Sequence, residues 1–245
     1  MELAARQYTW PGGAAPGPTP AYWGLCFTAE QANSTVAMNK VGTPPEVNLL
    51  YSTDAANWSP FVVGTTTVTL ASVGGNVWLK AGSGGNVAFG SGPSAYNYFS
   101  LSGQISASGS IMSILDGETE TYTVPMYCFY RLFYGCGSLT TAPELPATTL
   151  TSRCYTGMFL NCTSLKVGPF LPAQTLASQC YISMFENCSS IESVKVAFSA
   201  WGSTTYWFRG ASATGTFYCP AALGTNDTIT RDFNHCPTGW TVVNI

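Results

Sequence analysis

The sequence has few charged residues. Its 245 residues include 9 Lys and Arg, 12 Asp and Glu and a single His, which gives a net charge of −3 at pH 7. Proteins that bind nucleic acids use clustered Lys and Arg to displace counterions from phosphates. The composition therefore argues against a nucleic-acid partner, and so small a net charge favours no other partner through long-range attraction.

Long apolar runs are also missing. No stretch of 18 or more apolar residues occurs, whereas a transmembrane helix needs about 20, so we expect no membrane span. Residues 1–20 contain Glu2, one Arg and no apolar segment of the kind that a secretion signal requires. Unless the chain has been processed, the sequence predicts synthesis and folding in the cytoplasm.

Residues suited to catalysis are scarce. General acid–base chemistry needs two carboxylates held together, or a His beside a nucleophile. The acidic residues are spread along the chain, and Glu144 and Glu186, in or near the repeats described below, do not occupy equivalent positions. The sequence therefore predicts that the protein is not an enzyme and uses no cofactor.

Metal-binding patterns are weak as well. No CxxC spacing occurs, and His235, next to Cys236, is the only His, so a zinc site is not expected. Asp116, Glu118 and Glu120 alternate and would face one side of a strand. Three acids without further oxygen ligands are too few for calcium, and the sequence predicts no metal site.

What the sequence does contain is a repeat of fixed period. Cys128, Cys154 and Cys180 are spaced 26 residues apart. The same step relates further sets of residues, namely Cys136, Cys162 and Cys188; Phe133, Phe159 and Phe185; Leu139, Leu165 and Ile191; and Pro146 and Pro172. A period between 20 and 50 residues is typical of stacked, solenoid-like proteins.

Each repeat predicts a helix followed by an extended segment. Cys154, Met158 and Cys162 recur at i, i+4 and i+8, which indicates one apolar face of a short helix. Pro169 and Pro172 forbid helix farther along and favour extended or turn geometry. Because such small elements cannot bury their apolar faces alone, we expect them to stack into a continuous core.

The repeat cysteines are expected to be reduced. Cys154 and Cys162 would lie about 12 Å apart on a helix, and a disulfide needs Cα atoms within about 7 Å. We interpret the six repeat cysteines as small buried hydrophobes. Pairing of Cys219 with Cys236 stays open, and Cys26 has no evident partner.

The repeat resembles a known family. The segment CYTGMFLNCTSLKVGPFLPAQTL at 154–176 resembles the BspA-type leucine-rich repeats of surface proteins from gut Bacteroidetes and their bacteriophages. IMSILDG at 111–117 is similar to the segment that precedes such repeats, and GTFYCP and PTGWTV are similar to the segment that closes them. The resemblance covers roughly residues 20–245 and implies a leucine-rich-repeat solenoid in a surface-displayed protein.

The chain before the repeats divides into two predicted segments. Residues 1–20 are an arm rich in Pro and Gly, in which Tyr8 and Trp10 are either part of a disordered tail or an anchor that docks on a capsid or tail protein. Residues 21–120 contain short extended runs such as TVAMN, VNLLYS, NVWLKAG and NVAFG, separated by turn signals. This pattern predicts an antiparallel β-sandwich, with Trp58 near a hairpin loop, either as a core residue or as a sugar contact.

The remaining chain is expected to contain the leucine-rich repeats at 121–198 and a cap at 199–245. The end of a solenoid needs an atypical segment that shields the last core layer. The aromatic residues there exceed what capping needs, so they are also candidates for a ligand or subunit contact. They are Trp201, Tyr206, Trp207 and Phe208. Altogether the sequence predicts a mainly β protein with short helices.

These features lead to a functional expectation. A virion protein folds in the infected cytoplasm and is displayed outside only later, which reconciles a surface-type composition with the missing signal. We expect a phage structural protein on the virion surface, as a head fibre, decoration or tail-associated protein that attaches to a host or mucosal glycan or protein. By analogy with such fibres, a homotrimer is expected. A bacterial cell-surface adhesin and a purely structural decoration protein without a ligand are the alternatives.

Overall fold

The structure is a computed structural model that describes residues 24–116 and 123–245. The predicted anchor residues Tyr8 and Trp10, as well as Glu118 and Glu120, lie outside the described residues. Within them, the chain is mainly β. The first nine strands are β1 (Leu25–Ala29), β2 (Ser34–Val41), β3 (Leu49–Ser52), β4 (Ser59–Phe61), β5 (Thr67–Leu70), β6 (Asn76–Ala81), β7 (Gly90–Gly92), β8 (Ala95–Ser102) and β9 (Ile105–Ser108).

In the second half of the chain, successive strands are farther apart in the sequence. After a short helix α1 (Ser113–Asp116) come β10 (Leu139–Thr141), β11 (Val167–Leu171), β12 (Ser193–Val196), β13 (Gly215–Cys219), a 3-10 helix (Ala221–Leu223) and β14 (Trp240–Asn244). The predicted extended runs TVAMN, VNLLYS and NVWLKAG are confirmed as β2, β3 and β6. NVAFG is not a strand except for its last residue, Gly90.

The strands form two sheets. One has ten strands in the order β14-β13-β12-β11-β10-β9-β1-β6-β3-β4, and the other has four in the order β5-β2-β8-β7. Phe27 on β1 and Phe99 on β8 meet edge to face with ring centroids 5.0 Å apart. The sheets therefore pack against each other through a shared apolar core in the N-terminal half.

The predicted hairpin around Trp58 is confirmed. Strands β3 and β4 pair antiparallel, and Asp54 closes the loop between them by accepting hydrogen bonds from the backbone N–H groups of Asn57 and Ala56 at 2.7 and 2.9 Å. These bonds hold the pKa of Asp54 well below its usual range. Trp58 is half-buried, and the Lys80 ammonium lies 4.3 Å from its ring centroid.

From β10 onwards the chain winds as a β-solenoid of about four turns. Each coil adds one strand to the ten-stranded sheet, and β10 to β14 are all parallel. One row of aligned residues runs through all five strands, namely Thr141, Val167, Ser193, Thr216 and Thr241. The predicted stacking of equally spaced units is confirmed, and Pro169 lies in an extended strand as expected.

The helix predicted for residues 154–162 is wrong. This segment is a run of consecutive turns: the Met158 N–H donates to the Tyr155 carbonyl at 3.1 Å, whereas the Phe159 N–H donates to the Met184 carbonyl of the next coil at 3.0 Å. The same alternation between a turn bond and an inter-coil bond continues through 125–136, 151–162 and 177–188. We call each of these segments a turn ribbon.

Every fourth residue of a turn ribbon has a left-handed backbone. These residues have φ between 53° and 73° and are Tyr127, Arg131 and Gly135 in the first coil, Arg153, Gly157 and Asn161 in the second, and Gln179, Ser183 and Asn187 in the third. Regular helices do not contain such residues. In each group of four, two side chains point to the core, as Cys154 with Tyr155 and Met158 with Phe159 do.

Aromatic rings stack from coil to coil beneath the ribbons. The Phe133, Phe159 and Phe185 rings lie 5.4 and 5.9 Å apart and nearly parallel, and Phe129, Tyr155 and Tyr181 form a second stack. The repeat cysteines line up beside them: the Cys162 thiol donates to the Phe133 carbonyl and the Cys188 thiol to the Phe159 carbonyl, both at 3.1 Å. The expected cysteine ladder is therefore confirmed.

The N-terminal half occupies the place of a preceding coil. The Phe89 N–H donates to the Cys128 carbonyl at 2.8 Å, and the Phe99 N–H donates to the Leu132 carbonyl at 2.7 Å. The Phe99 carbonyl accepts from the Cys136 thiol at 3.2 Å. The sheet and the core thus run across the predicted domain boundary at residue 120 without a break.

The C-terminal edge of the long sheet is covered by side chains. Alternate backbone groups of β14 point away from β13, and the Asn226 side chain binds two of them, accepting from the Val242 N–H at 2.7 Å and donating to its carbonyl at 3.2 Å. Arg231 donates to the Trp240 carbonyl at 2.6 Å. At the other end of the sheet, Pro60 in β4 has no N–H to offer. Both ends therefore resist pairing with another strand.

Substitutions at Ser183 distinguish a turn ribbon from a helix. At φ of 53°, Gly avoids the steric cost that any Cβ incurs, so we expect Ser183→Gly to be more stable than Ser183→Ala by about 1 kcal/mol. A helix interior would reverse the order by about 1 kcal/mol. Urea unfolding of the two variants gives the sign, and greater stability of the Ala variant would contradict the ribbon.

Removing the cover of β14 is expected to promote association. Asn226→Ala frees the Val242 N–H and carbonyl, so the variant should form concentration-dependent oligomers through this edge and lose about 1 kcal/mol of unfolding free energy. Sedimentation velocity checks the first effect and urea unfolding the second. Asn39→Ala on β2 of the second sheet is the matched control. Equal association of both variants would show that Asn226 does not protect the edge.

Candidate functional site

The four aromatic residues predicted as contacts occupy different environments. Trp207 and Phe208 lie in the core, with 0% and 3% of their surface exposed. Phe208 stacks on Phe185 at 5.7 Å, and the Trp207 indole N–H donates to the His235 carbonyl at 2.8 Å. These two residues extend the interior of the solenoid into its fourth coil and offer no surface to a ligand.

The other two predicted residues are more accessible. Trp201 is half-buried and stacks on Phe217 at 5.8 Å. Tyr206 is 40% exposed and stacks at 5.8 Å on Phe233, which is 47% exposed. The Arg209 guanidinium lies 4.4 Å from the Tyr206 ring centroid. We call Tyr206, Arg209 and Phe233 the end platform.

Electrostatic contacts hold the end platform in place. Arg209 forms an ion pair with Glu186 of the preceding coil, in which its Nε lies 2.9 Å from a carboxylate oxygen. Only 7% of Glu186 is exposed, so the pair is shielded on one side. Phe233 could not be predicted as a contact residue, because it lies beyond the part of the chain that keeps the 26-residue pattern.

A second surface was not found from the sequence. Five tyrosines and two arginines gather where β8 meets the first two turn ribbons, and we call them the tyrosine–arginine cluster. Its members are Tyr96, Tyr98, Tyr127, Tyr130, Tyr134, Arg131 and Arg153. Tyr96 and Tyr130 are buried, and the other five are half-buried.

The two guanidinium groups of this cluster are held against rings. Arg131 lies 5.2, 5.4 and 5.9 Å from the ring centroids of Tyr134, Tyr130 and Tyr96. Arg153 lies 5.5 Å from the Tyr127 ring centroid and donates hydrogen bonds to the Tyr127 hydroxyl and to the Gln179 side chain. The arginines therefore flank the Tyr127–Tyr130 pair, whose centroids are 5.7 Å apart.

The backbone explains why these side chains point outward. Tyr127, Arg131 and Arg153 occupy left-handed positions of the ribbons, and the adjacent Tyr130 and Tyr134 belong to the outward pair of each group of four. An alignment by four residues along each ribbon would have grouped the ribbon residues of this face, but not Tyr96 and Tyr98 of β8. If the segment were a helix, the same residues would point in different directions around the helix axis, so no common face would be expected.

A shallow groove of 520 Å³ lies between the first two coils. It is lined by polar and apolar residues in similar proportion, among them Thr148, Thr149, Gln174, Thr175 and Leu176. None of the lining residues carries a charge. The groove therefore lacks a group that would orient a charged ligand.

The chemistry available around His235 is limited. His235 Nδ1 lies 2.7 Å from Asp232 Oδ1. Burial raises the pKa of Asp232, but the hydrogen bonds from His235 and the Asn234 N–H outweigh it and hold the pKa below its ordinary value. Burial raises the pKa of the neighbouring Cys236 thiol to about 11, so this thiol is protonated at neutral pH and is a poor nucleophile.

The described part of the chain contains neither a cluster of metal-ligating side chains nor a helix that could span a membrane. Within 24–116 and 123–245, no three His, Cys, Asp or Glu side chains gather as a metal site. No helix in this part of the chain is long and apolar enough to cross a bilayer.

All nine cysteines are free and buried. Cys219 and Cys236, whose pairing the sequence left open, do not form a disulfide. Burial is the main cause of the raised thiol pKa values, which reach about 12 for Cys136, Cys154 and Cys180. The cysteines thus serve as packed hydrophobes and weak donors.

Comparison of the chain with protein-family models, with curated proteins and with solved structures returns no match. Two surfaces remain as candidate contact sites, the exposed end platform and the half-buried tyrosine–arginine cluster.

The thiols are expected to be unreactive and to make stability sensitive to alkali. Unfolded thiols ionise near pH 9, whereas the folded thiols do so only at about 11 or above. Stability is therefore full below pH 9 and falls as pH rises from 9 toward 12. A thiol reagent at pH 8 should label no cysteine in the native protein and nine after urea unfolding. Rapid labelling of a native thiol would contradict the burial.

Proposed function

We propose that the protein is a phage virion structural protein that attaches the particle to a host or mucosal surface. It is made in the host cytoplasm and displayed on the virion as a head fibre, decoration or tail-associated protein. The observation that carries the proposal is the end platform, where two large rings, Tyr206 and Phe233, stay 40% and 47% exposed. Exposed aromatic groups beside an arginine are typical of contact surfaces.

The scaffold suits a display role. The ten-stranded sheet and the continuous core make one body, and both sheet ends are protected from pairing. A binding surface on such a body is held without the entropy that a loop would lose on binding. These properties support presentation of a surface and a role that is not enzymatic.

The finer architecture is also part of the proposal. We infer that the N-terminal half is a β-sandwich, because two sheets face each other across Phe27 and Phe99. We infer that the 26-residue units are leucine-rich repeats of the BspA type, with turn ribbons in place of helices. Leu139, Leu165 and Ile191 support this, since all three are fully buried at equivalent positions.

The proposed assembly has an anchor and a free end. Residues 1–20, with Tyr8 and Trp10, would dock on a capsid or tail protein, and the end platform would face outward. A homotrimer is proposed by analogy with virion fibres. An adhesin on a bacterial cell surface would use the same platform, so location is what separates the two functions.

Imaging of particles tests the proposed location. Gold-labelled antibody against this chain should decorate intact particles purified from a culture that produces the protein. Labelling of the bacterial envelope with bare particles would contradict a virion role and favour the adhesin.

Attachment is tested with the platform itself. The full chain carrying Tyr206→Ala with Phe233→Ala should lose about tenfold in cell-surface binding, because truncating a contact hot spot costs about 2 kcal/mol. Lys166→Ala, an exposed change elsewhere on the solenoid, is the control. Unchanged binding by the double variant would exclude the platform, and absence of binding by the unaltered chain would favour a purely structural role.

A further inference from the structure

We propose that the tyrosine–arginine cluster is a binding site for a sugar acid, meaning a pyranose that carries a carboxylate. This inference rests on the proposed attachment function, since it names the chemistry of the host glycan. The site lies on β8 and the first two turn ribbons, and it is separate from the end platform, whose residues lie before and after β13.

Charge is the first argument. The chain as a whole carries more acid than base, yet the cluster contains two guanidinium groups and no carboxylate. Among the described residues, the ion pairs join Arg209 with Glu186 and His235 with Asp232, and neither Arg131 nor Arg153 takes part in one. An unbalanced pair of arginines at a half-buried surface is complementary to an anion.

Hydrogen-bonding capacity is the second argument. A guanidinium has five N–H donors in a planar fork that matches a carboxylate. Arg153 uses two donors on the Tyr127 hydroxyl and the Gln179 side chain, and Arg131 lies against the rings of Tyr134, Tyr130 and Tyr96. Each arginine retains donors for a carboxylate oxygen, while its position against the rings reduces the entropy that it would lose on binding.

The rings supply the third argument. All five aromatic residues of the cluster are tyrosines, and three of them, Tyr98, Tyr127 and Tyr134, are half-buried and so reach the surface. A tyrosine offers an apolar face and a hydroxyl that donates and accepts. The C–H face of a pyranose packs on such a ring, and its hydroxyl groups bond to the phenols. An acidic peptide would use the arginines but leave most of these phenols without a role.

The orientation of the side chains is fixed by the fold. Tyr127, Arg131 and Arg153 project from left-handed positions that recur every four residues, and Gly157 leaves room for Arg131, whose Cγ would lie 3.2 Å from an added Cβ. A side chain at residue 157 would crowd Arg131 against its ring partners. The arrangement is therefore a feature of two successive coils and not of one flexible side chain.

A matched pair of sugars tests the proposal. Methyl β-D-glucuronide and methyl β-D-glucoside differ only in the carboxylate, and each is titrated into the full chain by calorimetry or ligand-observed NMR. We expect the glucuronide to bind with a Kd on the order of 1 mM and the glucoside to bind at least about tenfold more weakly, because a charge-assisted bidentate contact is lost. Added salt should weaken only the glucuronide.

Variants locate the site. Arg131→Gln and Arg153→Gln should each reduce glucuronide affinity about tenfold. Lys166→Gln, which removes a positive charge from an exposed position outside the cluster, should leave the affinity unchanged. Tyr98→Phe, which removes one hydroxyl, should weaken both sugars by a smaller factor. Circular dichroism and thermal unfolding confirm that each variant is folded, and Arg153→Gln stands in for Arg131→Gln if the latter does not fold.

Several outcomes overturn the proposal. Equal affinity for the two sugars, no glucuronide binding at ten times the expected Kd, or an equal loss in the Lys166→Gln variant would each do so. Displacement of the sugar by a glutamate-rich peptide that binds more tightly would assign the cluster to a protein partner instead. The antibody imaging of particles is independent of all these results. If antibody labels the particles but neither sugar binds, the sugar-acid site is wrong and the proposed virion role stands.

Discussion

The backbone hydrogen bonds between coils are the constraint on which the rest of the structure depends. In each turn ribbon, alternate N–H groups close a turn within the coil, and the others donate to a carbonyl of the next coil, as Phe133 does to Met158 at 2.9 Å. Such alternation needs a left-handed residue every four positions. The ribbons must stay in register, but the coils need not be equal in length, since Phe159 donates to Met184 (184 − 159 = 25) and Phe185 donates to Trp207 (207 − 185 = 22).

Side-chain choices follow from this ladder. Equivalent residues lie directly above one another, so a ring at one position favours a ring in the next coil, and the Phe133, Phe159 and Phe185 stack results. A cysteine fits at the end of each ribbon because its thiol is small and donates to the carbonyl above it. The outward positions need neither a ring that stacks on the next coil nor a small thiol donor. They are free to carry tyrosines and arginines, which is why the proposed contacts lie there.

The sequence predicted the structure correctly where stacking of the coils requires the same residue type at equivalent positions. Equal spacing of Cys128, Cys154 and Cys180 predicted the stacked coils, and extended runs between turn signals predicted β2, β3 and β6. The ribbons were misread because i, i+4, i+8 spacing of Cys154, Met158 and Cys162 fits a helix over such a short length. The neighbouring Tyr155 and Phe159 carried the distinction, since paired inward residues with a strict period of four do not match 3.6 residues per turn.

The contact surfaces were harder to predict. Tyr206 and Phe233 come from two successive coils, before and after β13, where the 26-residue spacing is no longer kept. The tyrosine–arginine cluster joins Tyr96 and Tyr98 of β8 to ribbons some thirty residues or more away. Such proximity depends on how the N-terminal half replaces a missing coil. No local pattern encodes this, because the bonds from Phe89 and Phe99 to the first ribbon use backbone atoms alone.

Through-hydrogen-bond NMR couplings test the ladder most directly. The account predicts a coupling between the Phe133 amide nitrogen and the Met158 carbonyl carbon, and another between the Phe159 amide nitrogen and the Met184 carbonyl carbon. Couplings from these amides to the carbonyls of Phe129 and Tyr155, four residues earlier, would mean that the segments are helices. That result would contradict the turn ribbon and the outward surfaces that depend on it.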